Sequence, residues 1–336
     1  MRFGLSDQQR ELQVGVAEFL AAESPPTYVR QRWSGAPNRA LWKKLADLGV
    51  TGMLVPTQYG GLGLGEVEAI LVLEAAGYVA LPEPLLETAL VGTALLVEAG
   101  TDEQRQTWLP RIARGEALVT TLLGADLYAV GAVDADLLLI EREGALYAME
   151  REHYQADLVE TVDPTRRLSL VTVKPLSRAL MAGSPELVQR AVDRGAAGAA
   201  ALLTGLAQWM LDTSVTYAKA RHQFDRPIGS FQAVKHKLAE TLVMVEAARA
   251  TCWYAGYSLA MNLNDASEAA SIAKAYACDA ESKASDAALQ IHGGIGFTWE
   301  HDLHLWMKRG KALEQAHGSA SWHRKKLVHA LRSRKG

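Results

Sequence analysis

Cysteine is scarce: Cys252 and Cys278 are the only two in 336 residues. Both sit inside stretches of helical periodicity, so small buried hydrophobes are expected rather than a disulfide or a metal-binding pair. Charge of one sign is also lacking, with a net charge of −3 and a pI near 6.3. No face is then expected to carry the basic stripe that phosphate contacts need, and no nucleic-acid partner is expected. No apolar run reaches the roughly 18 residues of a membrane span, and no secretory apolar region follows Met1-Arg2-Phe3. Those absences predict no membrane association and a reducing, cytoplasmic setting. What remains is an ordinary soluble composition, 49 % hydrophobic and 22 % charged, in a chain long enough for two or three domains.

Helical spacing dominates the first third. Ser6 is a cap, and Leu12, Val16, Phe19 and Leu20 predict one helix from Leu5 to Arg32. Leu41, Leu45 and Leu48 predict a short second helix stopped by Gly49. Helices are expected over Glu66–Tyr78 and Leu85–Ala99, and Thr101 caps another that ends at Gly115. Gly60, Gly61, Gly63 and Gly65 invite a phosphate-loop reading, but that fingerprint needs a preceding strand, and Pro56 stands where the strand would be. Short apolar or alternating runs at Val119–Leu123, Ala135–Glu141, Ala145–Met149 and Leu168–Val173 read as strands.

From Ser184 the pattern is helical again. Ser184-Pro185-Glu186 supplies a cap, a proline at the first helical position and an acid at the positive end of the dipole. The run Ala196–Tyr217 is apolar almost all round, as in a helix buried on several sides. Val234, Leu238, Leu242, Val245, Ala248 and Cys252 form a stripe on the next helix. Glu268–Ile291 is a third helix closed by Gly293-Gly294, and Met307–Leu331 contains the fourth. The expected fold is mainly α with a small β-domain: an N-terminal helical domain (1–117), a short middle β-domain (118–183) and a C-terminal four-helix bundle (184–336).

Between the first two bundle helices lies the run from Tyr217 to Gln232. Pro227 and Gly229 prevent a continuous helix, so Arg221, Gln223, Phe224, Ile228 and Gln232 share one corner. Spacing alone is compatible with a plain connecting loop and a solvated arginine. The run resembles the Arg-x-Gln-Phe-Gly-x-Pro-Ile-x-x-Phe-Gln signature of the acyl-CoA dehydrogenase family, with Asp225 where the family usually has glycine. Gln290-Ile291-His292-Gly293-Gly294-Ile295-Gly296-Phe297 resembles that family's Gln-x-x-Gly-Gly-x-Gly-[Phe/Tyr] motif, at the expected distance. The segment Pro56 to Gly65 is similar to the loop of its N-terminal helical domain. The resemblance is weak in the middle, where the Thr-Glu-Pro…Gly-Ser-Asp and Trp-Ile-Thr/Ser segments that hold the flavin ring and thioester are absent. It implies a truncated β-domain.

The resemblance also implies the chemistry. In the family a glutamate removes a proton beside the thioester while FAD accepts a hydride. Its usual position falls on His317 here, and its alternative position on Gly195. Asp193 is two residues away, which turns it about 200° round the helix. Arg221, Gln223, Phe224, Ile228, Gln232, Gln290, Gly293 and Gly294 match the set that contacts the ADP end of FAD across a subunit interface. Arginine suits phosphate as a fixed fork of donors, and glycine lets backbone approach closely. No metal site is expected; His301 and His304 are three apart without further ligands in register, and a solvated or capping role is expected of them. The chain is most similar to short, glutamate-lacking subunits of heteromeric (α2β2) bacterial acyl-CoA dehydrogenases, several of which take bulky sterol-derived thioesters. The expected partners are a larger catalytic subunit, an acyl-CoA substrate and an electron-transfer flavoprotein. Two alternatives stand: a self-sufficient dehydrogenase using His317 or another carboxylate as base, and a non-enzymatic scaffold of the same fold.

Overall fold

The computed structural model describes residues 4–34, 39–124, 126–173 and 177–334; Met1-Arg2-Phe3, and Ala125 in the strand region, lie outside it. The first helix, α1 (Asp7–Glu23), opens on a reciprocal cap: Ser6 Oγ accepts from Gln9 N at 3.2 Å while Gln9 Oε1 accepts from Ser6 N at 2.9 Å. It ends at Ser24, and α2 (Pro26–Ser34) follows. The single helix expected from Leu5 to Arg32 is therefore two, because Pro25 has no amide to donate to the preceding turn. Helix α3 (Ala40–Asp47) precedes the glycine loop. Helix α4 (Glu66–Tyr78) buries Ile70, Leu71, Val72 and Leu73 in succession, so it is covered on every side. The run after it is wound as a π-helix over Leu86–Gly92 and continues as α5 (Thr93–Ala99). In that wide turn Thr88 bonds the first strand from both sides, donating to Val119 O at 2.7 Å and accepting from Val119 N at 3.1 Å. Thr101 caps α6 (Asp102–Ala113).

Six short strands follow: β1 (Val119–Leu122), β2 (Tyr128–Val130), β3 (Leu137–Arg142), β4 (Ala145–Glu150), β5 (Tyr154–Leu158) and β6 (Leu168–Val173). They form two three-stranded sheets. The first has the order β1-β3-β4, with β1 and β3 parallel; the second has the order β2-β6-β5 and is antiparallel. Leu122, Leu138, Ile140, Met149, Tyr154 and Val171 share a buried core. Sequence periodicity misses β2 and β5. The first has three residues, and the second alternates only weakly, with Gln155 and Asp157 facing outward.

Helix α7 (Pro185–Ala220) is the axis of the molecule. It packs against α4 and against α8 (Gln232–Ala260) and α9 (Ala266–His292). Its Ala/Gly content is a packing requirement. A Cβ on Gly205 would overlap the Glu74 carbonyl oxygen, and one on Gly77 would overlap that of Leu202, so the α4 and α7 backbones touch. Where the fourth helix is expected within Met307–Leu331, the chain forms two, α10 (Leu303–Gln315) and α11 (Ala320–Ser333). The break comes where His317 and Gly318 take φ of 53° and 91°, a left-handed pair that no α-helix accommodates. Both cysteines are free and buried, and among the described residues no helix is long and apolar enough to cross a membrane.

Candidate functional site

The corner between α7 and α8 is a minimal hairpin, β7 (His222–Gln223) paired with β8 (Arg226–Pro227). Its two-residue turn puts Phe224 at φ 55° and Asp225 at φ 61°. Positive φ at both central positions is what a tight hairpin of right-handed twist demands, and glycine adopts it with less strain than either side chain. Asp225→Gly should therefore stabilise the fold by up to about 1 kcal/mol, read as a rise in the denaturation midpoint with unchanged slope. The turn projects Phe224 into solvent, 86 % exposed. Arg221 and Gln223 beside it are exposed, Ile228 is half-buried, and Gln232 is exposed at the start of α8. Among the described residues no carboxylate lies within ion-pair distance of Arg221, so its guanidinium is open to an anion.

The second motif closes α9. Gly293 takes φ 60° and returns its amide to Leu289 O. A Cβ on Gly293 or Gly294 would meet nothing within 4 Å, so both lie against open space where a ligand can approach the backbone. Gln290 is exposed one turn earlier. Tyr217, near the end of α7, stacks on His292, near the end of α9, with ring centroids 4.6 Å apart. That stack brings the two motifs to one end of the bundle, and no sequence signal foretold it. His301 packs edge-on to His292 at 4.6 Å and accepts the Leu303 amide at 3.1 Å, capping α10.

Elsewhere the fold brings together the two positions at which the resemblance places a base. An ideal Cβ on Gly195 would lie 2.5 Å from His317 Nδ1, so the imidazole occupies the space above the glycine. The backbone of this turn is held by Lys274, whose ammonium donates to Glu314 O at 3.1 Å and Gly318 O at 2.9 Å, and by His323, whose Nε2 lies 2.8 Å from His317 O. Burial, and then the neighbouring Arg166, Lys274 and His323, push the His317 ring down to about 3. Burial first likewise pushes His323 to about 4. One edge of His317 walls a cavity of about 440 Å³ that Thr121, Leu123, Val188, Val192 and Trp322 also line. Asp193 faces away, as its angular offset predicts: it accepts from Gln189 Nε2 at 3.0 Å, Ser267 Oγ at 3.1 Å and Lys326 Nζ at 2.9 Å.

A charged network that sequence reasoning missed joins the strands to the helices. Arg309 on α10 pairs with Asp163, bonds Thr165 Oγ1 and donates to Leu81 O at 2.8 Å. Arg166 donates to Ala312 O at 3.2 Å and lies 3.6 Å from Glu87. These partners are too far apart in the chain for any local pattern to reveal them.

Family models for the acyl-CoA dehydrogenase N-terminal domain and C-terminal domain match residues 6–116 and 186–331. Acyl-CoA dehydrogenase IpdE2 of Mycobacterium tuberculosis is 35 % identical over 327 residues, covering 94 % of this chain and 92 % of that one. Among solved structures, the ChsE4-ChsE5 complex from Mycobacterium tuberculosis has a TM-score of 0.91 at 23 % identity, over 99 % of each chain. A variant of the Tcur3481-Tcur3483 steroid ACAD has a TM-score of 0.89 at 25 % identity, over 97 % of this chain and 98 % of that one. With both helical ends matched and a relative aligned along nearly its whole length, the chain belongs to the acyl-CoA dehydrogenase family.

Proposed function

We propose that this chain is the small, non-catalytic subunit of a heteromeric FAD-dependent acyl-CoA dehydrogenase that introduces an α,β double bond into a thioester. The observation that carries this reading is the pairing of an open clamp at one end with a plugged base position at the other. The residues present fit the ADP end of FAD: Arg221 is exposed without a carboxylate partner, and the Gly293–Gly294 backbone is clear of side chains. Arg221 would hold the diphosphate as a fork of donors, Gln232 and Gln290 would add amide hydrogen bonds, and Phe224 and Ile228 would pack beside the adenine. When bound, FAD accepts the hydride; nothing in this chain's middle region matches the segments that grip its ring, which assigns that task to a larger subunit. The division into 1–117, 118–183 and 184–336 belongs to the same proposal. So do a heterotetramer of two unlike pairs, an electron-transfer flavoprotein as acceptor and a cytoplasmic setting. The steroid ACAD among the structural neighbours supports a bulky, ring-bearing thioester as the substrate class.

The self-sufficient reading is disfavoured by His317 itself. A ring held near 3 stays neutral and is a feeble base at neutral pH, far from the matched pKa that proton abstraction needs. Purified alone, the chain should be colourless. Co-expressed with the full-length acyl-CoA dehydrogenase encoded beside it, it should yield a yellow complex with a single FAD for each pair of unlike chains. Arg221→Ala should weaken flavin retention in that complex by about tenfold or more, the worth of a charge-assisted hydrogen bond. A yellow, active homo-oligomer would refute the subunit reading, and unchanged flavin content in the variant would favour the scaffold.

A further inference from the structure

We propose that the outward face of α11 lays the protein on an anionic lipid surface, with Lys325 and Arg332 as its free cations and Val328 and Leu331 between them. The inference is independent of the subunit reading. Beyond Glu314 the sequence holds six lysines and arginines and no acid. The net charge of −3 conceals that run, because the balancing acids lie elsewhere in the chain. A basic stripe that the overall charge gave no reason to expect is therefore present.

Tertiary contacts decide which of these cations stay available. Helix α11 packs against α9. Three acids of α7 and α9 bind three of its cations: Asp193 holds Lys326 at 2.9 Å, Glu268 holds Arg334 at 2.6 Å, and Asp279 pairs with Arg324. Lys325 and Arg332 are exposed, and among the described residues neither has a carboxylate within ion-pair distance. Positions 324, 325, 328, 331 and 332 fall within about 120° of the helix circumference at 3.6 residues per turn. That stripe faces outward: Val328 and Leu331 are 47 % and 55 % exposed, while His323, off the stripe, is buried. Glu268, to which the end of α11 is tied, stands on α9 roughly 37 Å along the helix from Gly293, so the stripe extends away from the flavin end.

The pattern selects the occupant. Aliphatic residues interleaved with long cations suit a helix lying in a bilayer interface, where Val328 and Leu331 enter the acyl boundary and the Lys and Arg heads reach the phosphates. No span is needed for this. A protein interface gathers its apolar anchors at the centre and its charges at the rim, which is not the arrangement here. Nucleic acid would gain nothing from the aliphatics, and the distance from Arg324 to Arg332 is only about 12 Å, the reach of a few phosphates. A second copy would oppose like charges.

The test is cosedimentation of the purified chain, and of its co-expressed complex, with vesicles of phosphatidylcholine alone and of phosphatidylcholine with phosphatidylserine. Both should bind the serine-bearing vesicles and not the neutral ones, and added salt should release them. Arg332→Glu and Lys325→Glu should each weaken binding about tenfold or more, and Leu331→Ser about fivefold. Lys43→Glu, the same charge change on exposed α3, should bind as the wild type does. Neither Lys325 nor Arg332 has an ion pair to lose, so both reversals should keep the wild-type urea midpoint. Absence of vesicle binding, or binding that survives both reversals, overturns the proposal. Binding by the chain that the complex lacks would show that an unlike subunit covers the stripe, and overturns it as well. Retention on heparin without vesicle binding would assign the stripe to a soluble polyanion. If no complex forms, the subunit reading falls and the chain alone decides the lipid surface.

Discussion

Glu281→Gln should change stability little at pH 5 and raise it by roughly 4 to 5 kcal/mol at pH 9. Glu281 lies on α9 with no exposed surface, directly beneath Gly310 of α10, where any Cβ would overlap its carboxyl group. Ser285 donates to it at 2.8 Å, and the Lys311 ammonium is 3.7 Å away. Burial, and next the neighbouring Glu314, push its pKa from 4.5 up to about 8. Below pH 4.5 the carboxyl is protonated in both folded and unfolded chains. Between 4.5 and about 8 the folded protein keeps a proton that the unfolded chain has released, so stability falls as pH rises across that window. Glutamine keeps the shape and cannot ionise, which removes the loss. Urea melts of both proteins from pH 5 to 9 give the difference curve; a flat difference would show that Glu281 ionises freely in the fold. Glu83, buried beside Arg32 and Tyr28 and raised by burial to about 7, adds a slope of the same sign to both proteins and cancels in the comparison.

Arg309→Met should cost about 3 to 5 kcal/mol, the penalty for stranding a buried ion. Its partner Asp163 is fully buried, and Arg309 is only 7 % exposed. Removing the guanidinium leaves the Asp163 carboxylate with Thr165 as its remaining partner, through the Thr165 amide at 3.1 Å and hydroxyl at 2.6 Å. The Leu81 carbonyl also loses its donor. Adding Asp163→Leu should recover much of the loss, because an apolar pair of similar volume needs no compensation. Equal instability of the single and double variants would mean that the arginine acts by filling space. The network also fixes how the strands sit against α10 and the N-terminal helices, so chemical melts of the single variant are expected to broaden, with the strand region loosening first.

Much of the candidate clamp is legible in the sequence because its parts are local. Pro227 and Gly229 force a corner, Gly293 ends a helix, and the residue types at those corners follow from backbone geometry. Helices and one strand are legible for the same reason: α4, β6 and the start of α7 lie where capping and periodicity put them. The misses have physical causes too. Pro25 breaks α1 from α2 although the apolar spacing runs on. The α10–α11 break depends on left-handed conformations at His317 and Gly318, which a helical stripe does not report. Strands β2 and β5 are too short or too polar to alternate, and exist because β6 offers them hydrogen bonds.

By itself the sequence determined the family and the helix-dominated architecture, and it supplied the eight residues of the proposed flavin clamp, since each is written in motifs of a few adjacent positions. Only the tertiary structure decided that His317 fills the space over Gly195, that Tyr217 and His292 tie the two motifs together, and that Arg309 reaches Asp163. Those pairings join residues tens to more than a hundred positions apart. Their energetics depend on burial and on close approach in three dimensions, which no pattern along one chain encodes.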